Sequence, residues 1–455
     1  MRSTRIFASD RLLFAVIVVL LMGWSISPAH VLAQSQGNNA VYSGPNTVRG
    51  SSAFIDASVL HLSLGGGVFS DICARINAAL VSLPSTTFGA VIDARGISGS
   101  DLTCSAGNTP WVYTFGSSQS TSTHPSTILL PAGTISVNNS WGMPNGTRLI
   151  GEGPGGPGTG VTTLQAASGS SFTWMIQMGG VALCSNPCIG VSVEDLALDG
   201  NNASSGISGI LNGQSQELSY VQHVRFYNLS GVGLEVQNHA QNSGPYSDLS
   251  FSTSSAQMNT KCVSIQVSTR GIHGLTCTGN TGTGTIPSAG ILLDGDNNSI
   301  EDVQVQGFQD GILVGSNASA QSNVLLNISG GTNVTNVVHI ANVSGNTVSD
   351  LSIMGVGNMS TASVKTIQDD LTGTTISDAT VGMYVLGEPV SVGTAHPGYS
   401  RFTTSPSAAN WGVGGAAPAT GTGATCTTGS LFTNTSGTTA NTTLFVCANG
   451  QWQPE

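Results

Sequence analysis

Asp195, His223 and Asp248 stand 28 and 25 residues apart, and Arg225 follows His223 by two positions. If those spacings are the turns of a repeating backbone, the four side chains share one surface. Two carboxylates a short distance apart suit glycosidic-bond hydrolysis, one protonating the leaving oxygen while the other activates water. His223 or Arg225 then serves an acidic sugar. β-Elimination would use the same groups differently, with a base near the C5 proton and Arg225 or His223 neutralising the sugar carboxylate. The competing reading is structural: an Asp that opens a strand often caps a turn by bonding its backbone.

Other candidate chemistry is weaker. "LDGDNNSIED" gathers Asp294, Asp296, Glu301 and Asp302 as oxygen donors for calcium, although Ser299 stands where an EF-hand loop needs Gly. "GEGPGG" at 151–156 spells a dinucleotide-binding turn, but Pro154 and Pro157 break the loop and β-branched "VTTLQA" follows, so no helix opens there to face a phosphate. Cys184 and Cys188 resemble half a zinc site without a second half. Glu235 and His339 occupy matching outward places but lie four repeats apart, too far to share a reaction centre.

The elements that position these groups come from a repeat. "VEDLALDG", "VQHVRFYN", "YSDLSFST", "IHGLTCTG", "IEDVQVQG", "NVLLNISG", "VSDLSIMG" and "ISDATVGM" restate one short strand about every 26 residues. The first inward residues are taken as Leu196, Val224, Leu249, Leu275, Val303, Leu326, Leu351 and Ala379. Residues two further on are again mostly apolar and those between are polar, the alternation of a one-sided strand. A second strand follows in most repeats, as in "GVGLEV", "AGILLD", "DGILVG" and "VGMYVL", and no helical segment intervenes. Propeller blades need about 40 to 45 residues, so stacked coils fit better.

Composition agrees. Only 8% of residues are charged, 39% are apolar and 60 are Gly, which fits an all-β chain rich in turns. A net charge of −11 argues against nucleic acid as a partner. Arg2, Arg5 and Arg11 precede an apolar run from Leu12 to Met22, which reads as a secretory signal over residues 1–33 with no stable membrane insertion after its cleavage. The expected location is extracellular or at the cell surface. Eight Cys in an exported chain predict disulfides; sequence leaves the connectivity open, and pairing neighbours in order gives four local loops.

The coil pattern resembles the pectin-lyase-like superfamily, which includes pectate lyases and polygalacturonases. That resemblance implies a right-handed single-stranded parallel β-helix over residues 70–390. "SDICARINAALVSLPS", with Ser70 or Asp71 as N-cap, looks like the family's capping helix, and "GAVIDARG" like its first coil. Polygalacturonase motifs match only at the Asp-Gly-Ile of Asp310, and "RGIHG" around His273 lies upstream of it, the wrong order. Residues 34–69 form an N-terminal segment, 391–424 a linker, and 425–455 a small β-hairpin module closed by Cys426 and Cys447. The resemblance implies a polysaccharide partner and a hydrolase or lyase acting on pectin or another acidic glycan, with calcium as the one cofactor in view. The rival reading is a non-catalytic glycan-binding or adhesin-like surface protein.

Overall fold

The computed structural model describes the chain from residue 53 onward, apart from residues 86, 88, 156–159, 185–186, 202–205, 238–241, 253–260, 280–285, 360–363, 372, 378–379, 387–399, 403–410, 415–430, 435–443, 449–450 and 455. The expected signal segment, Ala379 and Cys426 therefore lie outside the described residues. Most described residues are in strands, gathered mainly into a broad 15-stranded sheet and a narrow 10-stranded one.

From Ser192 to Asp369 the chain alternates between the two sheets. Ser192–Asp199, Tyr220–Tyr227, Tyr246–Ser252, Ile272–Thr278, Ser299–Gln306, Val324–Gly330 and Leu351–Asn358 lie in the broad sheet. Ser208–Asn212, Leu234–Val236, Val263–Ile265, Ala289–Leu293, Asp310–Val314, Asn336–Ile340 and Lys365–Asp369 lie in the narrow one. Every strand pairs in parallel with its counterpart one coil away, as Leu196 with Val224 and Leu249 with Leu275. Parallel pairing of this kind buries one apolar column per coil, and Leu196, Leu198, Ile210, Phe226, Phe251 and Val305 are all 3% exposed or less.

Each long strand of the broad sheet bends at one residue with positive φ. The bend falls at Asp195 (54°), His223 (51°), Asp248 (55°), Gly274 (72°), Asp302 (56°), Asn327 (54°) and Gly355 (64°). A left-handed residue suits Gly, Asn, Asp and His, and a bulky β-branched side chain would be strained there. This requirement accounts for Asp, His or Gly standing before Leu196, Val224, Leu249, Leu275 and Val303. It also corrects the register beyond Val303, which pairs with Ile328 instead of the expected Leu326. Leu326 points outward and is 37% exposed, and Asn327, not Leu325, occupies the bend. Leu351 and Asp350 likewise leave the column, because Ser329 pairs with Gly357 and so brings Gly355 to the bend.

Parallel stacking stops after Lys365–Asp369. Thr374–Ile376 folds back antiparallel on that strand, and Thr380–Leu386 pairs antiparallel with Leu351–Asn358, so "VGMYVL" is a reversed terminal strand of the broad sheet and not the second strand of another coil. Within 391–424, Ser400–Phe402 adds to that edge and Trp411–Gly414 pairs with Leu431–Asn434. Leu431–Asn434, Leu444–Ala448 and Gln451–Pro454 then form antiparallel neighbours in a small four-stranded sheet.

At the other end, the helix Ile72–Ser82 buries Ile72, Cys73, Ala74, Ile76, Ala79 and Leu80. Asp71 is its N-cap, accepting from the Ala74 amide at 2.9 Å, and it also accepts from the Tyr113 hydroxyl at 2.6 Å. Burial first, then Asp71, pushes the Tyr113 phenol up to about 12. Asp71→Ala should therefore cost about 2 kcal/mol, since it removes a cap and leaves the buried Tyr113 phenol only a longer bond to Ser105 Oγ. Denaturant unfolding checks this; a loss under about 0.5 kcal/mol contradicts the cap role.

Cysteines pair with their sequence neighbours: Cys73 with Cys104, Cys184 with Cys188, and Cys262 with Cys277. Cys447 is also disulfide-bonded, to a partner outside the described residues. Among the described residues no helix is long and apolar enough to cross a membrane.

Candidate functional site

The bend column faces outward, so its side chains form a ladder with one rung per coil, about 4.8 Å apart. His223 stands between two carboxylates: Nδ1 is 3.2 Å from Asp195 Oδ1 and Nε2 is 3.2 Å from Asp248 Oδ2. The predicted Asp–His–Asp cluster is thus present, and its three members are in contact. Contact has a consequence for chemistry, because the imidazole fills the gap between Asp195 and Asp248 where a sugar and a water would have to sit.

One coil further on, the ladder opens. Gly274 contributes no side chain, and a Cβ built there would lie 3.1 Å from Asp248 Oδ1. Asp302 follows, accepting a 2.6 Å hydrogen bond from Asn327 Nδ2. Asp248 and Asp302 are therefore two rungs apart, about 9 to 10 Å along the ladder, with an empty rung between them. A shallow, open depression of about 530 Å³ lies here, lined by Asp248, Gly274, Asp302 and Asn327. Its floor is the neighbouring outward column, Ser250, Thr276, Gln304 and Ser329, held in register by parallel pairing.

Arg225 continues that floor one coil before Ser250. Its guanidinium lies 5.6 Å from the centre of the Tyr227 ring, a cation–π contact. No carboxylate within 4 Å pairs with it among the described residues, and its Nε is buried without a hydrogen-bond partner. Burial, more than its charged neighbours, pushes the Tyr227 phenol up to about 12.

The oxygen donors considered for calcium do not converge. Asp294 accepts from the amide and Nδ2 of Asn317, and Asp296 from the amide of Gln321. Glu301 accepts from Ser299 and faces His273 at 3.2 Å, while Asp302 is held by Asn327. Among the described residues no group of three His, Cys, Asp or Glu side chains is placed to hold a metal ion. Burial pushes the Asp294 carboxyl up.

The Gly-rich segment lies between the strands Arg148–Ile150 and Thr162–Ala166. Its Gly153 amide donates to the Asp195 carbonyl at 2.8 Å, and a Cβ on Gly151 would come within 2.4 Å of that same oxygen. Glycine here serves close backbone approach at the end of the ladder. Glu235 and His339 are separated by Ser264, Leu292 and Leu313 in the narrow-sheet register, so four coils do part them. Burial pushes the Glu235 carboxyl up.

Sequence reading placed Gly274 and Asp302 in the same column but left them out of the candidate cluster beside Asp248. The signal was available in the left-handed residue types, Asp, Gly and Asn, recurring at the bend.

No protein-family model matches the chain, and no curated protein does. Among solved structures, the A-module of mannuronan C-5 epimerase AlgE4 from Azotobacter vinelandii is 17% identical, with 55% of this chain and 83% of that one covered and a TM-score of 0.28. The AlgE6 A-module from the same organism is 16% identical, covering 54% and 87%, with a TM-score of 0.25. ORF18 of Geobacillus virus E2 is 12% identical, covering 88% and 86%, with a TM-score of 0.35.

Proposed function

We propose that this chain is a secreted polysaccharide hydrolase that binds an extended glycan along the depression and cleaves it between Asp248 and Asp302. The observation that carries the proposal is the empty rung at Gly274, flanked by two carboxylates above a polar floor. A polar, open depression suits sugar hydroxyls, and one pyranose of an extended chain spans about one coil rise. One carboxyl protonates the glycosidic oxygen as the bond to the anomeric carbon breaks. The other takes a proton from the water whose oxygen forms the new bond, the arrangement of inverting enzymes. Asp195 and His223 act on Asp248: the imidazole holds one carboxylate oxygen, and Asp195 holds the imidazole. Arg225, lacking a carboxylate of its own, is assigned to an acidic sugar, which makes a pectin-like or other uronate-bearing glycan the favoured substrate.

The proposal includes the finer architecture: a right-handed single-stranded parallel β-helix of the pectin-lyase-like kind, with Ile72–Ser82 capping its N-terminal end and a disulfide-closed module at its C-terminus. Extracellular or cell-surface residence is supported by the disulfides. A second reading, glycan binding without cleavage, is favoured by one observation: Asp, Asn and His at the bend satisfy a backbone need whether or not they do chemistry.

Incubating the purified protein with a polysaccharide panel separates these readings. Hydrolysis is expected to raise reducing ends without ultraviolet-absorbing unsaturated products. A rise in both would indicate elimination, and binding with neither signal would end the enzyme reading.

A further inference from the structure

On the narrow sheet, away from the depression, a second histidine is clamped between carboxylates. His339, on Asn336–Ile340, has Nδ1 at 2.9 Å from Asp310 Oδ2 and Nε2 at 2.9 Å from Asp370 Oδ2. Asp310 belongs to the preceding narrow strand, Asp310–Val314, and Asp370 begins the turn after the following one, Lys365–Asp369. One imidazole therefore ties three successive coils together at the place where parallel stacking gives way to the terminal hairpin. The Asp310 side chain is 7% exposed and that of His339 is 20% exposed. Asn336 Nδ2 donates to the other Asp310 oxygen at 2.7 Å, but an amide cannot neutralise that charge.

We propose that His339 is a proton-dependent latch on the C-terminal end of the coil stack, closed while the imidazolium bridges Asp310 and Asp370 and released when it loses its proton. The groups facing it are few. Asp310 stands on one side; Asp370, with Lys365 nearby, stands on the other. The adjacent Asp369 is turned away, bonded to the Leu371 amide and the Tyr384 hydroxyl. The hydrogen bond to Asp310 outweighs partial burial, and with the bond to Asp370 it raises the His339 pKa to about 9. Asp370 is pushed up by partial burial, yet its bonds to His339 and Gln368 hold it below the ordinary carboxylate range.

The sign follows from linkage. A histidine raised from its ordinary 6.5 to about 9 holds the closed form at full strength below pH 6.5 and loses that hold as pH rises through 9. After deprotonation a neutral ring can donate to one carboxylate only, leaving the other, and the buried Asp310 charge, uncompensated. The hairpin Lys365–Ile376 is the element that opens, because it is the edge of the narrow sheet and pairs there only with Asn336–Ile340, although Asp369 also holds the Tyr384 hydroxyl.

The test is amide hydrogen exchange on the full chain between pH 6 and pH 10, corrected for intrinsic rates. The opening constant of peptides spanning Lys365–Ile376 is expected to rise about fortyfold between pH 7 and pH 9, while peptides spanning Ala289–Leu293 stay unchanged. His339→Gln should show the open-hairpin exchange already at pH 7, with no further rise. Should that variant fail to fold, Asp370→Asn, altered at the more exposed clamp, is expected to lower the midpoint. Uniform protection to pH 10, or an unchanged midpoint in the variant that folds, would overturn the latch.

Discussion

Asp302→Asn is expected to lower glycan cleavage by about 10³-fold while changing affinity less than about threefold, since it removes a proton-transfer group and little else. The backbone should not object: Asn tolerates a left-handed φ, and Asn327 already sits in that conformation one rung away. Asp248→Asn should match it in size. Asp195→Asn, by contrast, acts through His223 and Asp248, and its smaller loss should appear in the pH profile and in kcat with KM little changed. Reducing-end assays and calorimetric titration with oligosaccharide separate the two quantities. Full activity in Asp302→Asn would remove Asp302 from the chemistry and with it the carboxylate pair.

Gly274→Asn should cost about 10²-fold in activity against a stability loss of about 1 kcal/mol or less, because an added side chain closes the empty rung and displaces the Asp248 carboxylate. Asn is chosen over Val deliberately. At a φ of 72° a β-branched residue would add strain and confuse blocked access with damaged folding, whereas the same bend already accepts Asn at position 327. Melting temperature and activity should therefore part company in this variant. If it cleaves and binds like the parent, the depression over Gly274 is not where substrate lies.

How much of this was readable in the sequence depends on which interactions set each feature. Inward residues such as Leu196 and Val224 announce themselves because burial selects apolar side chains at period two, and that pattern needs no knowledge of the neighbouring coil. The cap at Asp71 was legible locally, from an N-cap residue type ahead of apolar residues at helical spacing, whereas the sequence left the disulfide connectivity open and stacking brought neighbours together. Register beyond Val303 was not. Leu325 and Leu326 are both apolar, so polarity alone cannot choose between them; the left-handed Asn327 decides, and its backbone angle is invisible to a hydrophobicity count. The Asp–His–Asp cluster was visible as three residues, but not the bonds that fill its gaps, which depend on rotamers. Asp302 was grouped with Asp294 and Asp296 because they are close in sequence, whereas the ladder that it shares with Asp248, two coils away, shows only once the coils are stacked. His339 likewise meets Asp310 and Asp370 only through stacking.

The account stands most directly on the stereochemistry of the first product. Proton NMR during the opening minutes of cleavage, before mutarotation, reads the anomeric configuration at the new reducing end. Carboxylates two rungs apart, with water admitted between them, predict inversion. Retention of configuration, or a product carrying an unsaturated sugar, would contradict hydrolysis by Asp248 and Asp302 across the Gly274 gap.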